Sequence, residues 1–323
     1  MPQRVSVDGA ASRTCTVCGG LVDPAKCLRW SKDGWDILRC PACGLVFRSV
    51  LPEAAELHDI YAEKYFLAAG GDVGGQGYAD YVGEAELHRE AARDRLRLLS
   101  RYVSPGRLLD VGAAAGFFVD EAGRAGWDAR GIDIAPSMVE WGRERLGVRL
   151  ENAALVDSEI APASLAAVTM WDYIEHATDP RGDVGRAFRL LQPGGLLALS
   201  TGDVDSLAAR ISGRRWHLLT PRHHNYYFSG ATLRRMLESA DYEIVWLGHP
   251  GHRYTLRYLA HKGRTLVDVA PLRALSNFVS TSRIGAVRIP VNLEDIVTVV
   301  ARKPLDSGDD PADATVARAP TEA

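Results

Sequence analysis

From Gly106 onward the chain alternates short apolar runs with stretches of helical spacing, a pattern that predicts βαβ units around a parallel sheet. RLLDVG (107–112) is the first run and WDARGIDI (127–134) the second. LAAVTMW (165–171) and GGLLALST (194–201) follow, and YEIVWLG (242–248) with DIVTVVARK (295–303) closes the series. Ahead of this unit, EAAELHDIYAEKYF (53–66) and EAELHREAARDRLRLLSRYV (84–103) place apolar residues three and four apart. The Gly-rich GGDVGGQGY (70–78) between them reads as a joint in a helical connector, residues 51–104. Tyr78 and Tyr81 follow that joint and are read as packing rather than as a lid. The stretch between the last two runs, 252–290, has helical spacing and predicts a helical cap. Its Arg253, Arg257 and Lys262 are read as a solvated helix face. The tail 304–323 has almost no large apolar residues and is expected to be disordered.

Composition narrows the picture. The chain of 323 residues is 46% hydrophobic, enough for one substantial core and a small appended module. No apolar run approaches the ~18 residues of a membrane span. The first residues lack the apolar block of a secretory signal, so a cytoplasmic protein is expected. A net charge of −3 and a pI near 6.3 argue against a surface made to neutralise nucleic-acid phosphates.

Cys15-Thr-Val-Cys18-Gly and Cys40-Pro-Ala-Cys43-Gly repeat one spacing with glycine in register. Two such knuckles folding together supply four thiolates, a set that favours a structural tetrahedral Zn²⁺ with no open coordination position. Residues 1–50 are therefore expected to form a zinc-ribbon module. Cys27 has no partner left and is read as a bystander.

The turn after the first apolar run reads Asp110-x-Gly112-x-Ala114-x-Gly116. It lacks the third-glycine spacing of a dinucleotide fingerprint. It resembles the acidic glycine loop of class I S-adenosylmethionine (SAM) methyltransferases, with alanine in place of the middle glycine. That alanine is tolerable where φ is negative, and the loop is expected to be intact. Asp133 ends the second run about 20 residues on, where an acid can accept both ribose hydroxyls. TMWDYIEHATDP (169–180), LLQPGGLLALST (190–201), the stretch RRWHLLTPRHHNYYFSG (214–230) and the final VNLEDIVTVVARKP (291–304) extend the resemblance over nearly the whole chain.

The resemblance implies an α/β fold: a seven-stranded, doubly wound, Rossmann-like methyltransferase sheet over 105–303, bearing the ribbon and the cap. It implies SAM contacts from Asp110, Gly112, Ala114, Gly116, Phe117, Asp133, Ile134, Asn152, Ala153 and Trp171. Asn152 and Ala153 stand where relatives often carry an adenine-binding acid. It also implies methyl transfer to a small-molecule acceptor, a natural product or a sugar, with O-methylation ahead of N- or C-methylation. An RNA methyltransferase gripping RNA with the ribbon, and a SAM-using enzyme that cyclises rather than transfers, remain alternatives.

His176, His217, His223 and His224, with Asp172 and Glu175, are the titratable candidates for handling the acceptor's proton. Asp172-x-x-Glu175-His176 puts three ligand-capable side chains on one turn at a strand's carboxyl end, with His224 as a fourth. The set is similar to one by which some small-RNA and ubiquinone O-methyltransferases hold a divalent ion. Three readings stay open: a second divalent ion near Asp172, Glu175, His176 and His224; Glu175 as a helix cap with His176 packed beside the cofactor; and His224 as a metal-free general base.

Overall fold

A computed structural model describes residues 12–52, 81–256, 259–260, 276–279 and 282–305. Tyr78, Arg257, Lys262, most of the proposed connector and the tail beyond 305 lie outside the described residues, as does the Arg253 side chain.

The chain opens with a two-stranded ribbon, β1 (Arg13–Thr14) and β2 (Leu21–Val22), then β3 (Leu28–Lys32), β4 (Trp35–Arg39) and β5 (Val46–Arg48). Helix α1 (Ala85–Leu99) buries Ala92, Leu96 and Leu99 along one stripe, the 3–4 spacing expected of a helix with one face on a core. Next come β6 (Arg107–Val111), α2 (Phe117–Arg124), β7 (Asp128–Asp133), α3 (Pro136–Leu146), β8 (Leu150–Asn152), β9 (Leu165–Trp171), α4 (Pro180–Leu190) and β10 (Leu191–Gly202). The short α5 (Leu207–Ser212), β11 (Tyr226–Tyr227), α6 (Gly230–Glu238), β12 (Glu243–Gly248), β13 (His252–Thr255), β14 (Arg288–Val291) and β15 (Ile296–Arg302) complete the order.

Seven strands form one sheet in the order β12-β15-β10-β9-β6-β7-β8. The β6–β10 neighbours run parallel, and β15 alone is antiparallel, to both β10 and β12. This is the Rossmann-like methyltransferase sheet anticipated above. Its central strand β9, LAAVTMW, is buried at every position, because helices cover both faces of a parallel sheet and leave no polar alternation. Helix α3 starts with proline in its first turn and ends on left-handed Gly147 (φ 67), the usual asymmetry of helix ends. No helix among the described residues is long and apolar enough to cross a membrane.

Two findings differ from the sequence-based expectations. Residues 252–255 and 288–291 are not helical but pair as an antiparallel ribbon, His252 with Val291 and Thr255 with Arg288. Pairing with a distant partner overrides local helical spacing here. And the four-cysteine module does not close its own sheet. Strands β3, β4 and β5 are joined by β11 from far downstream, in the order β11-β5-β4-β3. Its buried Cys15, Leu38, Cys40, Leu45 and Phe47 belong to the same core cluster as Val111 and Val299 of the main sheet, Ile174 of the turn after β9 and Phe228 just after β11.

Candidate functional site

The four thiols sit together, with Cys15 Sγ 3.6 Å from Cys43 Sγ and Cys18 Sγ 3.6 Å from Cys40 Sγ, and all four within 4.8 Å of one another. A tetrahedron with Zn–S bonds of about 2.3 Å has edges of about 3.8 Å, so the donor set fits zinc. Each knuckle closes alike: Gly19 N–H donates to Cys15 O and Gly44 N–H to Cys40 O, both at 2.9 Å. Cys27 is half-buried and stands outside the cluster.

A cavity of about 260 Å³ opens at the carboxyl ends of β6, β7 and β9, the edge at which open α/β sheets bind ligands. Asp110, Gly112, Ala114, Phe117, Asp133, Ile134, Ala153, Trp171, Asp172 and His176 line it. Gly116, Asn152, Glu175 and His224 are not among the lining residues. Gly116 is the N-cap of α2 at φ 80, and a Cβ there would come within 2.9 Å of Val148. Asn152 donates its side-chain amide to Asp133 O at 2.9 Å, tying β8 to β7 instead of facing the cavity.

Ala114 corrects one expectation: its φ is +46°, the left-handed region rather than the negative one. Such a conformation costs an L-residue roughly 1–2 kcal/mol. The turn is held there by Asp133, whose Oδ2 accepts from Ala114 N–H at 2.7 Å and whose Oδ1 accepts from Ala135 N–H at 2.8 Å. Burial raises the Asp133 carboxyl above its usual range against these two donors. Asp110 is pushed up to about 7 by burial, and the Thr169 hydroxyl, donating at 2.6 Å, partly offsets this.

Sequence reasoning missed the α1 side of the cavity. Arg95 lines it, donating to Asp172 Oδ2 at 2.9 Å with its guanidinium 4.6 Å from the Trp171 ring centroid. Helical spacing offered no signal, since an arginine on an amphipathic helix reads as solvent-facing. Asp172 is itself left-handed, at φ 51. Tyr81 lines the cavity as well as packing on His88 and Phe117. Burial lowers His88 to about 4.

At the β9 end, Glu175, His176 and His224 bring one ligand-capable atom each within 4.8 Å of the others, and the two imidazoles meet edge to face at 4.7 Å. His176 Nδ1 lies 2.9 Å from His223 O, and His224 Nδ1 2.9 Å from Leu218 O. A carbonyl only accepts, so each Nδ1 carries the proton and each Nε2 is the basic nitrogen. Burial lowers His176 to about 4. Burial, then the Asp172 charge, raises Glu175 to about 8, while a hydrogen bond from the Thr201 side chain opposes the rise. Glu175 Oε2 is buried with no hydrogen-bond partner. His217 stands elsewhere, 3.6 Å from Asp295, and His223 is fully buried beside His176.

A family model described as a methyltransferase domain matches residues 84–247. A ubiquinone biosynthesis O-methyltransferase of Xanthomonas campestris pv. campestris is 35% identical over 112 residues, covering 32% of this chain and 46% of that protein. The protein of the same name in Xanthomonas oryzae pv. oryzae is 30% identical over 153 residues, covering 43% and 63%. The chain thus spans about half the length of the curated relatives it matches. Among solved structures, a SAM-dependent methyltransferase from Archaeoglobus fulgidus superposes with a TM-score of 0.48 at 17% identity, over 69% of this chain and 99% of that one.

Proposed function

This chain belongs to the methyltransferase-domain family, and on that premise we propose that it transfers the methyl group of SAM to a hydroxyl of a small-molecule acceptor, a natural product or a sugar. The observation that carries the reading is the single cavity that joins the Asp110–Phe117 loop and Asp133 to His176. Asp133 would hold the ribose hydroxyls, while exposed Ile134 and the backbone at Ala153 would meet the adenine. Asp110 and the loop backbone would take the methionine end, where Arg95 and Asp172 would offer charges complementary to its carboxylate and ammonium. When bound, SAM supplies an electrophilic methyl on a sulfonium, so the protein's work is alignment and removal of one proton.

His176, which lines the cavity, forms the acceptor end together with Glu175 and His224, clustered behind it. A neutral Nε2 there would accept the hydroxyl's hydrogen bond and then its proton, while bound SAM would supply the methyl group and leave as the neutral thioether. A second reading is favoured by the partnerless Glu175 Oε2: Glu175, His176 and His224 would hold a divalent ion, which would lower the hydroxyl's pKa. The four cysteines hold a structural zinc.

Calorimetric titration of the protein with SAM and with NAD, followed by a screen of sugars and phenols as acceptors, tests the reading. SAM binding with NAD silent and a methylated hydroxyl product supports it; NAD binding alone overturns it. Loss of turnover on chelation, restored by Mg²⁺, selects the divalent-ion form of the cluster.

A further inference from the structure

The segment that completes the four-cysteine module's sheet is also the segment that grips the acceptor-end cluster. Asn225, buried within the core, donates its backbone N–H to Glu175 O at 2.8 Å, and Tyr226 N–H donates to the same oxygen at 3.1 Å. The Asn225 side-chain amide donates to His176 O at 2.8 Å and to Ala177 O at 3.3 Å. Three consecutive carbonyls of the cluster-bearing turn therefore hang on one asparagine and its neighbour.

Asn225 is in turn held by the module. Arg48 N–H donates to Asn225 O at 2.9 Å, and the Arg48 guanidinium donates to Asn225 Oδ1 at 3.1 Å while lying 3.7 Å from the Trp35 ring centroid. Strand β11 pairs with β5, Tyr226 with Phe47 and Tyr227 with Val46. Both knuckles converge on this point. Cys40 and Cys43 lead directly into β5, and Arg13, two residues before Cys15, donates to Arg48 O and Ser49 O at 2.8 Å each. On the other flank Lys32 Nζ donates to Leu219 O at 2.6 Å, one residue from the carbonyl that orients His224.

We infer that the four-cysteine module positions the Glu175–His176–His224 cluster, with Arg48 and Asn225 as the positioning residues that transmit its geometry. The inference rests on reading that cluster as the acceptor end. It makes the module a brace behind the site, reaching the cluster-bearing turn through Asn225, instead of a separate grip for substrate or nucleic acid. A buried asparagine with its amide and carbonyl both engaged fixes its neighbours because any shift leaves desolvated groups unpaired.

The test uses the full chain and three variants: Cys43→Ser, which breaks the sulfur set, and the pair Arg48→Met and Arg48→Lys. Two observables need no acceptor. One is amide exchange by mass spectrometry over 173–178 and 223–228, with 108–117 as the internal reference. The other is the imidazole NMR signals of His176 and His224, displaced by their edge-to-face contact. In Cys43→Ser with zinc gone, exchange at 223–228 is expected to quicken about tenfold or more, the imidazole signals to move, and the reference segment and SAM affinity to hold. Arg48→Met should show the same pattern with zinc retained, and Arg48→Lys should recover most of it. Should Cys43→Ser lose SAM binding and unfold, Arg48→Met decides by the same observables with the sulfurs intact. Imidazole signals and exchange that stay at parental values overturn the coupling. Glu175→Gln separates the two ideas: methyl transfer at the parental rate sinks the acceptor-end reading, while the exchange and NMR results still decide the coupling.

Discussion

The end of the cavity proposed for the cofactor comes from one continuous βαβ unit, β6 through β7, in which the Asp110–Gly116 turn and Asp133 brace each other across two adjacent strands. The other end is lined by the β9 turn, Trp171–Tyr173 and His176–Thr178, to which the 223–226 segment and, behind it, β5 of the four-cysteine module are hydrogen-bonded. The first is a local motif whose geometry follows from short-range turns. The second depends on contacts between segments far apart in sequence, so it should be separable from the first by perturbation. On the proposed reading, the contrast would let one sheet keep its cofactor chemistry while its acceptor end is rebuilt.

The strongest way to break this contrast is to remove a ligand of the zinc proposed for the module. Cys40→Ser is expected to abolish zinc content and to remove on the order of 10 kcal/mol of folding free energy from the module. Zinc analysis with limited proteolysis of 12–52 would read this, and SAM affinity should stay within about threefold if the two ends are energetically independent. A matched collapse of SAM binding would show them to be one unit.

Asp133→Ala attacks the local end. It removes the ribose acceptor and orphans the buried Ala114 and Ala135 N–H groups, each worth roughly 1–3 kcal/mol. SAM affinity measured by calorimetry should fall by ~1.5 kcal/mol or more, about tenfold. Unchanged affinity would move the cofactor elsewhere.

The pH dependence of SAM binding sharpens the same end. Asp110 has its pKa at about 7 in the free protein, and a cationic ligand favours its ionised form. Binding below that pH therefore expels a proton, and affinity should fall toward tenfold per pH unit as pH drops below 7, levelling off above it. Calorimetry from pH 5 to 8.5 in buffers of differing ionisation enthalpy would detect both the slope and the released proton; a flat profile would unlink Asp110.

The smallest expected effect is Ala114→Gly. Relief of the left-handed backbone, offset in part by glycine's chain entropy, should stabilise by up to about 1 kcal/mol. A Tm about 2–4 °C higher would register it, and a drop would mean that the methyl packs usefully against Phe117 and Met138, its core neighbours.

What the sequence disclosed follows the same divide. RLLDVG and LAAVTMW were readable as sheet strands because parallel strands are apolar throughout, and the CxxCG repeat and the Asp110–Gly116 loop were readable because each lies within a few residues. The sign of φ at Ala114 was hidden, since alanine at a glycine position says nothing of which backbone region it kept. Arg95 was hidden because its surroundings are another strand's end. The two residues of β11 carry no strand signal of their own, and their partner lies in the module. The ribbon at 252–255 was masked by helical spacing that pairing with 288–291 overrode.

The pairing of Tyr226 with Phe47 also has a consequence for biogenesis. The fourth strand of the module's sheet is synthesised about 180 residues after the third, a wait of on the order of ten to forty seconds at about 5–20 residues per second. Throughout that interval the nascent module has its sulfur ligands but an open β5 edge carrying Val46 and Phe47. Loading of the proposed zinc would therefore precede completion of the sheet, leaving a template that waits on the ribosome for the strand that will bring its asparagine.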